Sequence, residues 1–245
     1  MEHKRIPQTT SFSLRIMAMV FMLCDHLWAA SVVRHDFFTA IGRLAFPIYA
    51  FLIVEGYFHT RSLKKYAVRL FLFALVSEIP FNLMVGGRLF YPVHQNVLWS
   101  FLISIGLIHW NETVKGKRVW IRILVALATF CIAYIGGILM FVDYYHAGIF
   151  MVLIFYLFRG RKWWNYLAQL LCLWYINFEM LGGFGYEFSL FGSTHFVPRQ
   201  GLAVLALIPI WLYRGKQGYH SRGLQYFCYA FYPLHLLILG MLSVL

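Results

Sequence analysis

Nine apolar runs, joined by connections that alternate between strongly basic and almost uncharged, constrain this chain more than any other feature of its sequence. They cover approximately residues 12–33, 38–58, 66–87, 96–112, 119–140, 146–158, 163–180, 197–213 and 223–244. A helix needs about 20 predominantly apolar residues to cross a bilayer, and backbone in lipid must satisfy its own hydrogen bonds. The pattern predicts an all-α fold, a polytopic membrane helix bundle of about nine transmembrane helices. The runs 96–112 and 146–158 are among the shortest and fit a full crossing least well. Only 12% of the residues are charged, against about 25% in soluble domains, too few to coat a soluble globule. No connection is long enough to fold alone, so residues 1–245 are expected to form a single membrane domain.

The placement of charge sets the expected orientation. Lys4 and Arg5 precede the first run; Arg61, Lys64, Lys65 and Arg69 follow the second; Lys115, Lys117, Arg118 and Arg122 follow the fourth. Arg159, Arg161 and Lys162 follow the sixth, and Arg214, Lys216 and Arg222 the eighth. The alternate connections hold only Arg34, Arg88 and Arg199, with Asp36, Asp143, Glu179 and Glu187 among them. Short cytoplasmic loops are rich in Lys and Arg, so the N-terminus is expected in the cytoplasm and the C-terminal Leu245 outside. The net charge of +12 is thereby assigned to lipid headgroups and a cytoplasmic anion, not to nucleic acid. Because the first run contains Arg15, Asp25 and His26, it reads as a permanent span and not as a cleavable signal. Cys24, Cys131, Cys172 and Cys228 fall inside apolar runs at spacings that match no zinc pattern, and read as small packing residues with no metal. The connection from Leu181 to Pro198 is the longest, rich in glycine and aromatics; an interfacial aromatic belt and a lip over an outward-opening site both fit it.

Ionisable groups within spans are costly and usually face a bundle interior. In the first run Arg15, Met19, Met22 and His26 share one helical face, with His26 about 16 Å beyond Arg15 at 1.5 Å per residue. That face offers a cation, an apolar groove and an imidazole, which suits an anionic ligand with a long arm and a reactive tip. Equally, Arg15 can snorkel to headgroups and His26 can bond a neighbouring helix. Asp25 points away from His26. In the second run Arg43 lies near one end and Glu55 near the other, Glu55 within reach of the basic loop that follows; Pro47 predicts a kink. In the third, Glu78 and Asn82 share a face around Pro80, and the carboxyl needs a partner, with His26, Arg43 and His235 as candidates. Asp143, Tyr144 and His146 gather at the outer surface, and His235 falls at a depth similar to that of His26.

The block IGRLAFPIYAFLIVEGYFHTRSLKKYAVRLFLFALVSEIPFN closely resembles the signature region of the TraX family of membrane proteins, and LRIMAMVFMLCDHL and YAFYPLHLLIL resemble that family's beginning and end. The family is named for a conjugation protein that acetylates the N-terminus of pilin, and is related to the acyltransferase-3 group. That group carries an arginine followed, after ten intervening residues, by a histidine, the spacing of Arg15 and His26. Basic residues after its second span serve the acyl donor; Lys65 and Arg69 occupy the comparable place, while Tyr232 and His235 are similar to its closing helix. The chain is shorter than most of that group. The resemblance implies an acetyltransferase of the bacterial inner membrane that takes acetyl from cytoplasmic acetyl-CoA to an amine or hydroxyl on a pilin-like protein, glycan or lipid. His26 is then the expected base or acetyl carrier, with Asp25 and Glu78 as further catalytic candidates. Arg15, Lys65 and Arg69 are expected on the donor, and Arg43, Asn82, Asp143 and His235 on the acceptor. The rival functions are a proton- or ion-coupled transporter, with Asp25, His26, Glu78 and His235 as a relay, and a non-enzymatic assembly factor.

Overall fold

The computed structural model describes residues 8–190 and 192–244; Lys4, Arg5 and Leu245, which entered the orientation argument, lie outside them. Ten α-helices are found among the described residues. The chain opens with α1 (Ser11–Ala29), started by a capping box in which Thr10 and Ser13 bond each other's backbone amides. A broken pair, α2 (Asp36–Gly42) and α3 (Ala45–His59), follows, then α4 (Leu63–Gly86), capped by Ser62 and closed by Gly87 in the left-handed conformation. After these come α5 (Val97–Thr113), α6 (Val119–Leu139), α7 (Tyr145–Leu157) and α8 (Trp163–Tyr175), the last extended by a π turn over Ile176–Met180. A hairpin of β1 (Gly185–Leu190) and β2 (Ser193–Pro198) leads to a 3₁₀ segment (Arg199–Ala206), α9 (Leu207–Trp211) and finally α10 (Arg222–Val244).

All nine apolar runs become helical, but not all are long. Five segments are long and apolar enough to cross a membrane: Ser11–Ala29, Asp36–His59, Leu63–Gly86, Val119–Leu139 and Gly223–Ser243. By contrast α7 has 13 residues, about 20 Å of helix against a hydrocarbon core of about 30 Å. It is apolar on every side because it is buried on every side, with Ala147, Ile149, Met151, Val152, Leu153 and Phe155 in the centre of the core. The outermost elements show the complementary pattern. On α6, Trp120, Ile123, Leu124, Leu127 and Ile135 are exposed, and on α4 Leu72, Val76 and Ile79, an apolar exterior suited to lipid. A Cβ on Gly137 would come within 2.5 Å of the His146 backbone, so only glycine lets α6 close on α7.

Pro47 acts more strongly than a kink. It has no N–H for the Arg43 carbonyl, and the apolar run 38–58 breaks at Arg43–Leu44 into α2 and α3. The expectation of an all-α chain is corrected by the hairpin, whose antiparallel register runs from Gly185↔Pro198 to Leu190↔Ser193. The connection 181–198 has glycines to turn and alternate aromatic and polar residues to pair, which the belt and lip readings both overlook.

Contacts define the two ends of the bundle. At the basic end the start of α1 pairs with the loop after α9, through Ser11 N–H to the Lys216 carbonyl and Phe12 N–H to the Gln217 carbonyl, and Arg161 bonds the Tyr213 carbonyl. At the opposite end the loop before α5 pairs with the loop before α7, Gln95 against Val142.

Candidate functional site

The face expected on α1 is present. Met19 and Met22 are buried between Arg15 and His26, beside Leu14 and Ala18. At the basic end Arg15 lines a small pocket of about 40 Å³ with Ser11, Gln217, His220 and Gln225. Arg69 lies nearby on α4, its guanidinium 5.8 Å from the centre of the Tyr229 ring, and Tyr66 stands within electrostatic reach of both arginines. The Tyr66 hydroxyl packs so closely on α3 that a Cβ at Gly56 would lie 2.7 Å from it. Lys65, one turn back on α4, is exposed. Arg15, Arg69, Tyr66 and Tyr229, from α1, α4 and α10, thus lie near one another at this end.

At the far end of the same face His26 meets His235 of α10. The Nδ1 of His26 and the Nε2 of His235 are 2.7 Å apart, with the ring planes within 8°. His235 is buried, its Nδ1 is 2.6 Å from the Phe231 carbonyl oxygen, and its ring stacks on Phe231. The similar depth expected for the two histidines is realised as direct contact. Neither ring forms an ion pair with a carboxylate among the described residues.

Asp25 turns the other way. It pairs with Arg43 and accepts from the Thr39 hydroxyl at 2.8 Å. Arg43 continues outward, donating from Nε to the Thr39 carbonyl and from Nη1 to Gln200, while Gln200 donates to Asn177. One polar network therefore joins α1, the α2–α3 break, the 3₁₀ segment and the π turn. It requires Gly42, where a Cβ would lie 2.4 Å from the Asp25 Cβ. Thr39, Gln200 and Asn177 were not singled out from the sequence; Thr39 was legible as the residue four before Arg43, on the same helical face, but Asn177 and Gln200 carry no charge to mark them.

Glu78 finds none of the three partners expected for it. It accepts from the Asn96 backbone and side chain and from the Trp99 indole at 2.6 Å. Asn96 caps α5, so the carboxylate sits where a helix dipole favours negative charge. Asn82 donates to the Leu89 carbonyl, and its own buried carbonyl oxygen has no partner among the described residues. Asp143 bonds His94 at 3.3 Å and the Tyr144 amide. The His94 imidazolium is favoured first by that hydrogen bond and then by the charges of Asp143 and Glu78, against burial, so its pKa rises above the ordinary value. His146 is turned elsewhere, 4.6 Å from Tyr134. Glu55 pairs with Arg159 at 2.9 Å, not with the loop following its own helix.

A second cavity of about 440 Å³ lies at the basic end between α3, α5, α6 and α7, lined by Phe58, Asn111, Lys115, Arg122, Tyr156 and Arg159 among others. Lys115 and Arg159 are already paired there with Glu112 and Glu55.

The fold and site define a class: a polytopic helical membrane protein with an arginine near its basic end and, on the same face of α1, a histidine paired with one from α10. The chain belongs to the TraX protein family, whose model matches residues 11–243. It is 24% identical over 243 residues to a protein of Dichelobacter nodosus described as a probable fimbrial assembly protein FimC of serogroup H1, covering 94% of each chain. It is 25% identical over 163 residues to Protein TraX of Escherichia coli, covering 65% of this chain and 61% of that one. No solved structure matches significantly.

Proposed function

We propose that this protein is a membrane-bound acetyltransferase, taking acetyl from acetyl-CoA at the cytoplasmic, basic end and delivering it to an amine or hydroxyl at the outer face. Nine membrane passages in the bacterial inner membrane, with the N-terminus inside, complete the reading. The observation that carries it is the single face of α1 on which Arg15 is followed by buried Met19 and Met22 and then by a hydrogen-bonded His26. Coenzyme A has phosphates for Arg15, Lys65 and Arg69 and a long thin arm that can lie along the methionines. The small pocket beside Arg15 must widen for this.

The transfer is a carbonyl substitution. The acceptor nitrogen or oxygen attacks the thioester carbonyl, and His26 takes the proton that the acceptor loses. The carbon–sulfur bond breaks, and the departing thiolate receives a proton. In an alternative order His26 itself carries the acetyl group before the acceptor arrives. Kinship with a fimbrial assembly protein favours the N-terminal amine of a pilin-like protein as acceptor, ahead of a glycan or lipid hydroxyl. Arg43, Asn82 and Asp143 are assigned to the acceptor. Asp25 and Glu78 serve by holding α1 and α5 in place.

The test is transfer of labelled acetyl from acetyl-CoA to native membranes. His26→Ala should lose roughly 10²–10⁴-fold in rate while inserting normally and still binding acetyl-CoA. Near-parental transfer by that variant removes His26 from the mechanism, and absence of acetyl-CoA binding by the parent removes the activity itself.

A further inference from the structure

The imidazole pair contains more information than proximity. The Phe231 carbonyl oxygen, 2.6 Å from the Nδ1 of His235, can only accept a hydrogen bond, so that Nδ1 carries a proton. A neutral imidazole has one N–H, which leaves the Nε2 of His235 with a lone pair. That lone pair faces the Nδ1 of His26 at 2.7 Å, so the hydrogen between them belongs to His26. The Nδ1 proton then fixes the other atom of that ring: the Nε2 of His26 carries a lone pair. A chain of two bonds, both set by a backbone oxygen, thus selects one of two tautomers of His26.

We infer that His235 is a positioning residue that holds His26 in the tautomer with Nε2 free, making Nε2 the atom that takes the acceptor's proton or the acetyl group; this rests on the acetyltransferase reading. The near-coplanar rings and the stacking of His235 on Phe231 at 4.7 Å fix orientation as well as protonation. The site thereby obtains an oriented base without a carboxylate at its back. The acidic side chain nearest in sequence, Asp25, is engaged by Arg43 and Thr39. An imidazolium at position 235 would reverse the chain, donating from its Nε2 and placing the proton of His26 on the wrong atom. The pair therefore works only with both rings neutral before transfer.

Two substitutions separate positioning from packing. His235→Phe keeps a planar ring and removes the acceptor; it should lower turnover roughly 10–100-fold, the range seen when a hydrogen-bond partner that orients a metal-ligating histidine is lost, with acetyl-CoA affinity unchanged. His235→Gln places an amide oxygen where Nε2 stood and should restore most of the turnover. Parental turnover by His235→Phe overturns the inference. So does His235→Gln as slow as His235→Phe, since His235 would then move a proton itself. Nitrogen NMR on the folded parent, labelled at histidine and assigned by difference with His26→Gln, reads the tautomer without any transfer reaction. A protonated Nδ1 and bare Nε2 on His26 are expected, and the opposite assignment overturns the inference. If instead His26 variants leave acetylation untouched while the spectrum is as expected, the functional reading fails and the tautomer stands.

Discussion

Replacing Asp25 with asparagine distinguishes a residue of the chemistry from one that holds two helices together. The carboxylate accepts from the Thr39 hydroxyl at 2.8 Å and pairs with Arg43, and the two charged side chains are 15% and 21% exposed. An exposed pair would contribute about 0–1 kcal/mol, whereas removing one partner of a buried pair costs about 3–5 kcal/mol. The low exposure places this pair near the buried limit. Arg43 nevertheless keeps three other acceptors, the Thr39 carbonyl, the Thr39 hydroxyl and Gln200, so the bottom of the range applies, about 3 kcal/mol. That is a large fraction of a native stability of about 5–15 kcal/mol. Asp25→Asn should therefore unfold early in a denaturant titration in mixed micelles and accumulate poorly in membranes. Arg43→Met should suffer too, but Asp25→Asn combined with Arg43→Met should cost less than the sum, with a coupling of about 2 kcal/mol. For Asp25→Asn, activity per folded molecule should fall little. If Asp25→Asn unfolds like the parent, within about 0.5 kcal/mol as for an ordinary surface change, yet abolishes acetyl transfer, Asp25 belongs to the chemistry and the network is incidental.

Arg15→Ala should weaken acetyl-CoA binding roughly tenfold or more, the loss of one charge-assisted contact, while Arg122→Ala in the larger cavity should leave it unchanged; equilibrium binding to purified protein checks both, and the opposite result moves the donor to the second cavity. His94 supplies a pH dependence. Its folded pKa is raised by the bond to Asp143 and by the charges of Asp143 and Glu78, so its contribution to stability is complete below the unfolded value of about 6.5 and is lost as pH rises through the folded value. The stability gap between parent and His94→Gln should accordingly be wider at about pH 5.5 than at about pH 8.5, measured by unfolding in both buffers; a gap that widens with pH contradicts the assignment.

The helical segments were legible in the sequence because hydropathy reports burial from water, and every apolar run became helix. What hydropathy does not report is length in the membrane or which neighbour covers a helix. The 13 residues of α7 score as apolar as α6, although one is wrapped by protein and the other carries an exposed apolar face. The break at Arg43–Leu44 was signalled by Pro47 but not its degree, which depends on Asp25 and Thr39 waiting to take the arginine. The hairpin was hidden because its strands are short and its composition resembles an interfacial belt.

Within the site, spacing along one helix was readable and pairing between helices was not. Arg15 and His26 lie eleven residues apart in one chain segment, so a helical period is enough to place them on one face. His26 and His235 are separated by 209 positions, and no local pattern connects them; equal depth made contact possible without choosing it over a bond to any other helix. Glu78 shows the same limit from the other side. A carboxyl within a span demands partners, and charge suggests cations, yet the donors it uses are an indole, an amide and a backbone N–H at the start of α5. Hydrogen-bond donors without charge are invisible to charge counting. They satisfy the carboxylate while leaving Arg43 to Asp25 and His26 to His235, and this division is what keeps a carboxylate away from the imidazole pair.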